Sequence, residues 1–342
     1  MKDRLFGKTQ NELRELVREM DCPRYTADQL CEWLYKKRVT RFEEMSNLPK
    51  ELRARLRELF EVAPGGPERV SASADGTKKY LFPASGRWVE AAFIPDGRRA
   101  TLCLSTQVGC RMGCLFCMTG KQGFQANLDP GEILSQYARI PEFDEITNIV
   151  YMGMGEPLDN LQAVLTSIEI LTSPWGFGMS PRRITVSTIG VIPAMRAFLA
   201  KSASRLAVSL HSPFEEERRR LMPVEHIYPI AEVLDLLREE RLKARISFEY
   251  IMFEGVNDSP RHARELVRIL HGIECRVNLI HFHRIPGTPL APTPADRMVE
   301  FENQLKQSGI MATIRKSRGE DIQAACGLLS TKELLRPQPV DY

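Results

Sequence analysis

The sequence contains no apolar run near the roughly eighteen residues that cross a bilayer. Its first residues, MKDRLFGKTQNELRELV, carry no secretory leader. These absences exclude a membrane-spanning class and predict a cytoplasmic protein. Excess charge is also missing: 47 Lys and Arg against 44 Asp and Glu leave a net +3, so overall charge does not announce a nucleic-acid binder. Histidine is scarce, at 6 in 342 residues, and no two stand at zinc-finger spacing. Internal repeats and low-complexity segments are lacking, which argues against a solenoid. Eight cysteines are present, but Cys22, Cys31, Cys103, Cys110, Cys114, Cys117, Cys275 and Cys326 are too scattered for a disulfide-stapled secreted domain. Metal or redox chemistry is the better use for them.

With 43% hydrophobic residues the chain can bury a full core. TQNELRELVREM, ADQLCEWLYKKR and LPKELRARLRELF have helical spacing, predicting a helical N-terminal accessory domain over 1–62. After APGGP the period changes to two in KKYLF and WVEAAFIP, a short β linker over 63–99 that carries Glu90. Over 100–342, TLCLSTQV, ITNIVYMG, RITVST, RLAVSL, ISFEYIMF, RVNLIHF and MATIRK alternate with helical patterns. Such alternation predicts an α/β core of parallel βα units, a partial barrel or a doubly wound sheet. Either fold gathers reactive groups where strands end. Basic residues cluster at Arg98 and Arg99, Arg182 and Arg183, Arg218 to Arg220, and RKSR from Arg315. Such patches suit a phosphate backbone, although any one of them also reads as solvated surface.

GCRMGCLFCMTG places Cys110, Cys114 and Cys117 as CxxxCxxC on a loop after a strand. Structural zinc needs four ligands, and neither a second CxxC nor a histidine pair supplies the fourth. Three cysteines instead suit an iron–sulfur cluster with one iron left open. YMGMGEP ends the next strand in Gly155 and Glu156, a close-approach backbone beside a carboxylate able to receive an ammonium group. Ser187 in TVSTIG, and Ser209, Leu210 and His211 in SLHSP, end the strands after that. Their polar groups stand where they can hydrogen-bond a ligand held at the strand ends.

CxxxCxxC with Phe116 before the last cysteine resembles the radical S-adenosylmethionine superfamily, and GEP resembles its GGEP motif. The resemblance implies a partial (β/α)6 barrel and one [4Fe-4S] cluster on Cys110, Cys114 and Cys117, with S-adenosylmethionine on the open iron. It narrows in RATLC (Cys103), RKSRGEDIQAACG (Cys326) and WVEAAFIP (Glu90). With GEP and SLH, these look like the RNA methyltransferases that modify adenine C2 in 23S rRNA and tRNA. The implied targets are the peptidyl-transferase-centre adenosine and the adenosine 3′ of the anticodon. His283, in NLIHFH, stands where that family has an asparagine, a cofactor contact imidazole can reproduce.

The implied reaction consumes two S-adenosylmethionine molecules. One methylates Cys326; the second yields a radical that turns this methyl into a methylene, which adds to C2. Cys103 then takes the C2 proton and forms a disulfide with Cys326 as the base departs, while Glu90 holds or protonates the adenine. The implied partners are 23S rRNA, tRNA and an electron donor such as flavodoxin or ferredoxin, acting on a monomer. Three other readings remain: the sister family that methylates C8, a non-methylating radical enzyme such as an activase, and a zinc-bearing RNA-binding module.

Overall fold

The computed structural model describes residues 2–240 and 246–331. Strands β1 (Arg69–Ala72), β2 (Lys78–Ala84) and β3 (Arg87–Asp96) form an antiparallel ribbon that continues into β4 (Arg99–Cys103). From β4 onward every pairing is parallel: β5 (Asn148–Tyr151), β6 (Ile184–Thr188), β7 (Arg205–Ser209), β8 (Ile246–Met252), β9 (Cys275–His281) and β10 (Met311–Arg315). The β linker expected between domains is thus part of the main sheet.

Each strand lies beside its predecessor in sequence, so strand order never reverses. A doubly wound sheet requires such a reversal. Right-handed crossovers that always step onward place their helices on one face and roll the sheet into an open barrel. Six crossovers link β4 to β10, making the partial (β/α)6 barrel. Inside it, strand alternation points Thr101, Thr185, Ser247, Asn278 and Thr313 into a cavity, while Leu102, Val186, Phe248, Val277 and Ala312 are buried between these positions. A closed barrel fills its inner positions with branched apolar side chains. Small polar residues here leave an open lumen.

Helix α1 (Gln10–Glu19) begins at a capping box in which the Thr9 hydroxyl accepts from Glu12 N at 3.2 Å and Glu12 Oε2 accepts from Thr9 N at 2.6 Å. With α2 (Tyr25–Cys31) and α3 (Lys50–Leu59) it forms the helical N-terminal region. This region is no detached appendage. The Tyr35 ring packs at a tilt against Trp175 and edge-on against Phe177 on the barrel side, with centroids 5.9 Å and 5.7 Å apart, and one continuous core spans both parts. At Gly7 (φ +103°) an added Cβ would lie 2.4 Å from Gly131 N, so only glycine permits this approach.

Beyond β10 the chain runs back over the strand ends. Arg318 pairs with Asp96 at 2.9 Å, Gly319 N donates to Asp75 at 3.0 Å, and Ser330 N donates to Glu90 at 2.9 Å. This segment joins the β10 edge to the ribbon and brings Cys326 over the lumen. Among the described residues no helix is long and apolar enough to cross a membrane.

Candidate active site

The cysteine loop follows β4. Gly109 (φ +71°) sits so close to Gly123 that a Cβ would lie 1.7 Å from its carbonyl oxygen, which obliges glycine at the loop's entrance. Leu115 N donates to Leu221 O at 2.9 Å, and Cys117 stands at the N-terminal boundary of the short helix α4 (Met118–Gln122) without a side-chain capping bond. Burial pushes the Cys110 thiol up to about 12 and holds Cys114 well above its usual value; the neighbouring thiols add to both shifts. Mutual opposition places the three thiols in one another's field. Such thiolates need cations among them.

Among the described residues no three Cys, His, Asp or Glu side chains converge on a single metal ion. A cubane gives each thiolate its own iron, so its three ligands need not meet at one point.

The three cysteines line a cleft of about 150 Å³ together with Gly155, Glu156, Ser187, Ser209 and His211, ending β5, β6 and β7. Gly155 (φ +100°) passes so near Gln107 that a Cβ would clash at 2.6 Å. Glu156 is buried; its carboxylate accepts from Leu158 N at 3.0 Å and Ile189 N at 3.1 Å. Burial nevertheless raises it to about 7. A bound ammonium group would restore its charge. His211 is lowered to about 3 by burial first and by Arg218 second, so its ring is neutral. Because Ile251 N donates to Nδ1 at 3.0 Å, the ring proton sits on Nε2, as a donor.

Leu210 does not join them: its side chain lies in the core. Its carbonyl accepts from Arg218 Nε at 3.1 Å, and Arg218 Nη2 also reaches Ile189 O at 2.9 Å and Ser209 O at 3.0 Å. Arg218, fully buried and paired with Glu225, therefore ties two strand ends into one wall.

The lumen proper is a cavity of about 780 Å³ that contains Cys103 and Cys326 and meets the cleft at Cys117, Met152, Arg315 and Cys326. Cys326 is accessible, but the atoms crowding its sulfur raise the thiol while Arg315 opposes the rise. Cys103 is buried and pushed up to about 12, by burial first and then by Cys326, with Arg315 again opposing. Arg315 lies 3.4 Å from Glu249, whose other oxygen accepts from Asn278 Nδ2 at 2.7 Å and from the Ser247 hydroxyl at 3.0 Å. One guanidinium faces both thiols.

Two expected residues lie elsewhere. His283 borders the lumen rather than the cleft and holds the C-terminal segment, with Nε2 2.6 Å from the Ser317 hydroxyl and Nδ1 3.1 Å from Glu320. Glu90 borders neither cavity: Lys79 pairs with it at 2.9 Å and Ser330 N donates to it. Burial, the largest influence on its carboxyl, raises it.

The sequence reading missed Arg315, Glu249 and Arg218. The RRR cluster is only partly surface: Arg219 and Arg220 are paired with Glu215 and Glu216, but Arg218 is inside.

A sequentially wound open barrel whose strand ends carry a three-cysteine loop belongs to the radical S-adenosylmethionine class, and the radical SAM superfamily profile matches residues 104–267. Residues 4–62 match the ribosomal RNA large subunit methyltransferase N-terminal domain. The probable dual-specificity RNA methyltransferase RlmN of Porphyromonas gingivalis strain W83 is 53% identical, covering 96% of this chain and 97% of the relative. The dual-specificity RNA methyltransferase RlmN of Syntrophotalea carbinolica is 43% identical over 96% and 90%. The crystal structure of a radical SAM methyltransferase from Sphaerobacter thermophilus superposes with a TM-score of 0.90 at 38% identity, covering 96% of this chain and 99% of that one. The chain belongs to the RlmN family of dual-specificity RNA methyltransferases and is a radical S-adenosylmethionine enzyme. The family implies S-adenosylmethionine and a [4Fe-4S] cluster as its cofactors.

Proposed function

We propose that the enzyme methylates adenine C2 in 23S rRNA, at the peptidyl-transferase-centre adenosine, and in tRNA, at the adenosine 3′ of the anticodon, carrying the transferred carbon on Cys326. The observation that supports this most is the position of Cys326, which borders both the cofactor cleft and the lumen beside Cys103. Cys110, Cys114 and Cys117 hold the cluster; Glu156, Ser187, Ser209 and His211 hold S-adenosylmethionine. When bound, this pair supplies a methyl group and, after one-electron reduction by a flavodoxin or ferredoxin, a hydrogen-abstracting radical.

Cys326 accepts the methyl group on its cleft side and presents it to adenine on the lumen side. Cys103 must then change state. In the resting chain it is a protonated thiol, opposed by burial and by Cys326. Methylation turns Cys326 into an uncharged thioether, which removes the smaller of these two influences, so that Arg315 favours the Cys103 thiolate against burial alone. The thiolate takes the C2 proton, and the adduct's unpaired electron returns to the one-electron carrier, which restores the aromatic ring. Once deprotonated again, Cys103 attacks the Cys326 sulfur; the S–S bond forms as the S–CH2 bond breaks, and the released carbon is protonated to a methyl group. Glu90 reaches the adenine if its contact with Ser330 opens; the rise that burial gives its carboxyl favours the acid form, a donor to a ring nitrogen.

The test is chromatography and mass spectrometry of the methylated nucleoside against 2- and 8-methyladenosine standards. The C2 isomer is expected from both RNAs; the C8 isomer would move the enzyme's chemistry to the sister family.

A further inference from the structure

The lumen that holds two thiols at one end holds arginines at the other. Arg99 begins β4, Arg205 begins β7 and Arg276 is the second residue of β9, and all three border the same cavity as Cys103 and Cys326. A strand rises about 3.3 Å per residue, so Arg99 stands roughly 13 Å from Cys103 along β4. A guanidinium stem and a nucleotide together bridge that gap.

Burial first, then repulsion from Arg315 and Arg205 and, more weakly, from Arg276, lowers Arg99 from its ordinary value. Four guanidinium groups therefore face one another across the lumen. Arg99, Arg205 and Arg276 are exposed at the mouth of the lumen, where solvent screens their mutual repulsion and leaves their donors open to an anion. Of the nearby acids, Glu249 is paired with Arg315 and Asp96 with Arg318, and Asp96 also attracts Arg99, though less than Arg315 and Arg205 repel it. Glu274 borders the base without an ion pair, and neither Arg99 nor Arg205 forms one among the described residues.

The opposite end is covered. Met118 N donates to Gly327 O at 2.8 Å, the Thr119 hydroxyl to Leu329 O at 2.6 Å, and Ser330 Oγ to Gln122 at 3.0 Å, so α4 and the C-terminal segment lie over the thiols.

We propose that Arg99, Arg205 and Arg276 bind backbone phosphates of the RNA, so that the target nucleotide enters the lumen from the strand N-terminal end and meets Cys326 and Cys103 from below. The proposal rests on the RNA methyltransferase reading and adds its route of entry. Guanidinium groups suit phosphodiesters because their forked donors match two phosphate oxygens. Such contacts fix register and leave base discrimination to the lumen walls.

The test uses full-length, cluster-loaded enzyme and an RNA stem-loop. Each phosphate contact on a single strand contributes about 0.7 to the slope of log affinity against log salt, so Arg205→Gln/Arg276→Gln should flatten the slope by about 1.4 and weaken binding roughly 25-fold at 0.1 M salt. Arg220→Gln, an exposed residue on helix α5 (Glu215–Leu221) paired with Glu216, is the matched charge control and should leave both unchanged. Wild-type slope and affinity in the lumen variant would overturn the proposal, as would protection of these arginines by inorganic pyrophosphate but not by RNA. Cofactor cleavage without RNA separates the two ideas: its absence in the wild type would sink the radical-methyltransferase reading, whereas an unchanged salt slope sinks the lumen route alone.

Discussion

Replacing Arg218 with Met tests whether a buried ion pair builds the cofactor cleft. The side chain is fully buried, paired with Glu225, and donates to the carbonyls of Ile189, Ser209 and Leu210 at 2.9–3.1 Å. Methionine fills much of the space but supplies no donor. Glu225 would keep only its contact from Ile230 N at 3.0 Å. Stranding one member of a buried pair costs about 3–5 kcal/mol. The three carbonyls add to this less than additively, so a total near 4 kcal/mol is expected. At roughly 2 °C per kcal/mol for a chain of this size, Tm should fall by about 8 °C. Arg218→Met/Glu225→Gln removes the stranded charge and should recover about half of the loss. Urea unfolding of the cluster-free chain followed by circular dichroism measures both, and S-adenosylmethionine affinity should weaken in step because the displaced carbonyls belong to the cleft wall. A single-variant loss below about 1 kcal/mol, or a double variant no better than the single, would refute the assignment.

Replacing Cys110, Cys114 or Cys117 with Ala should abolish both the brown colour of anaerobic protein and its activity; activity retained with stoichiometric zinc would reverse the cluster assignment. Cys326→Ala should keep the cluster yet transfer methyl neither to protein nor to RNA, whereas Cys103→Ala should accumulate a protein–RNA band that survives denaturation; wild-type turnover by either variant would defeat methylene transfer. The Glu156 carboxyl is raised to about 7, so it gains a proton as pH falls through 7 and an ammonium ligand loses its counter-charge. Cofactor affinity should therefore drop between pH 8 and pH 6, and Glu156→Gln should flatten that dependence; a wild-type profile in the Gln variant would count against the contact.

The parallel βα pattern was legible because alternation is written locally, and the cleft because its residues sit at strand ends; the choice of an open barrel over a doubly wound sheet came from the family resemblance, since strand order is a tertiary relation. The interior was harder. ISFEYIM reads as a buried apolar strand, yet Ser247 and Glu249, two apart, share the inward face; MATIR repeats the pattern with Thr313 and Arg315. Register aligns Ser209, Glu249, Asn278 and Thr313 in one row across four strands, a relation that no single strand reveals.

Arginine burial left a fainter trace. In FEEERRRL, four residues before Arg219 and Arg220 stand Glu215 and Glu216, the helical spacing of solvent-exposed pairs. Four residues before Arg218 stands Phe214, and three after it Leu221, so this arginine alone lies on the apolar stripe of its helix. A charge on an apolar stripe must find a buried partner or unfold the stripe, and Glu225, seven residues on, is that partner. The same logic separates the N-terminal region from a detachable module. Its helices are amphipathic, but Phe6 and Tyr35 turn toward Trp175 and Phe177, so removing residues 1–62 uncovers aromatic surface on the barrel itself. The RNA docking proposed for the N-terminal region is therefore testable through exposed charges on α1 and α3, whose replacement leaves that shared core intact.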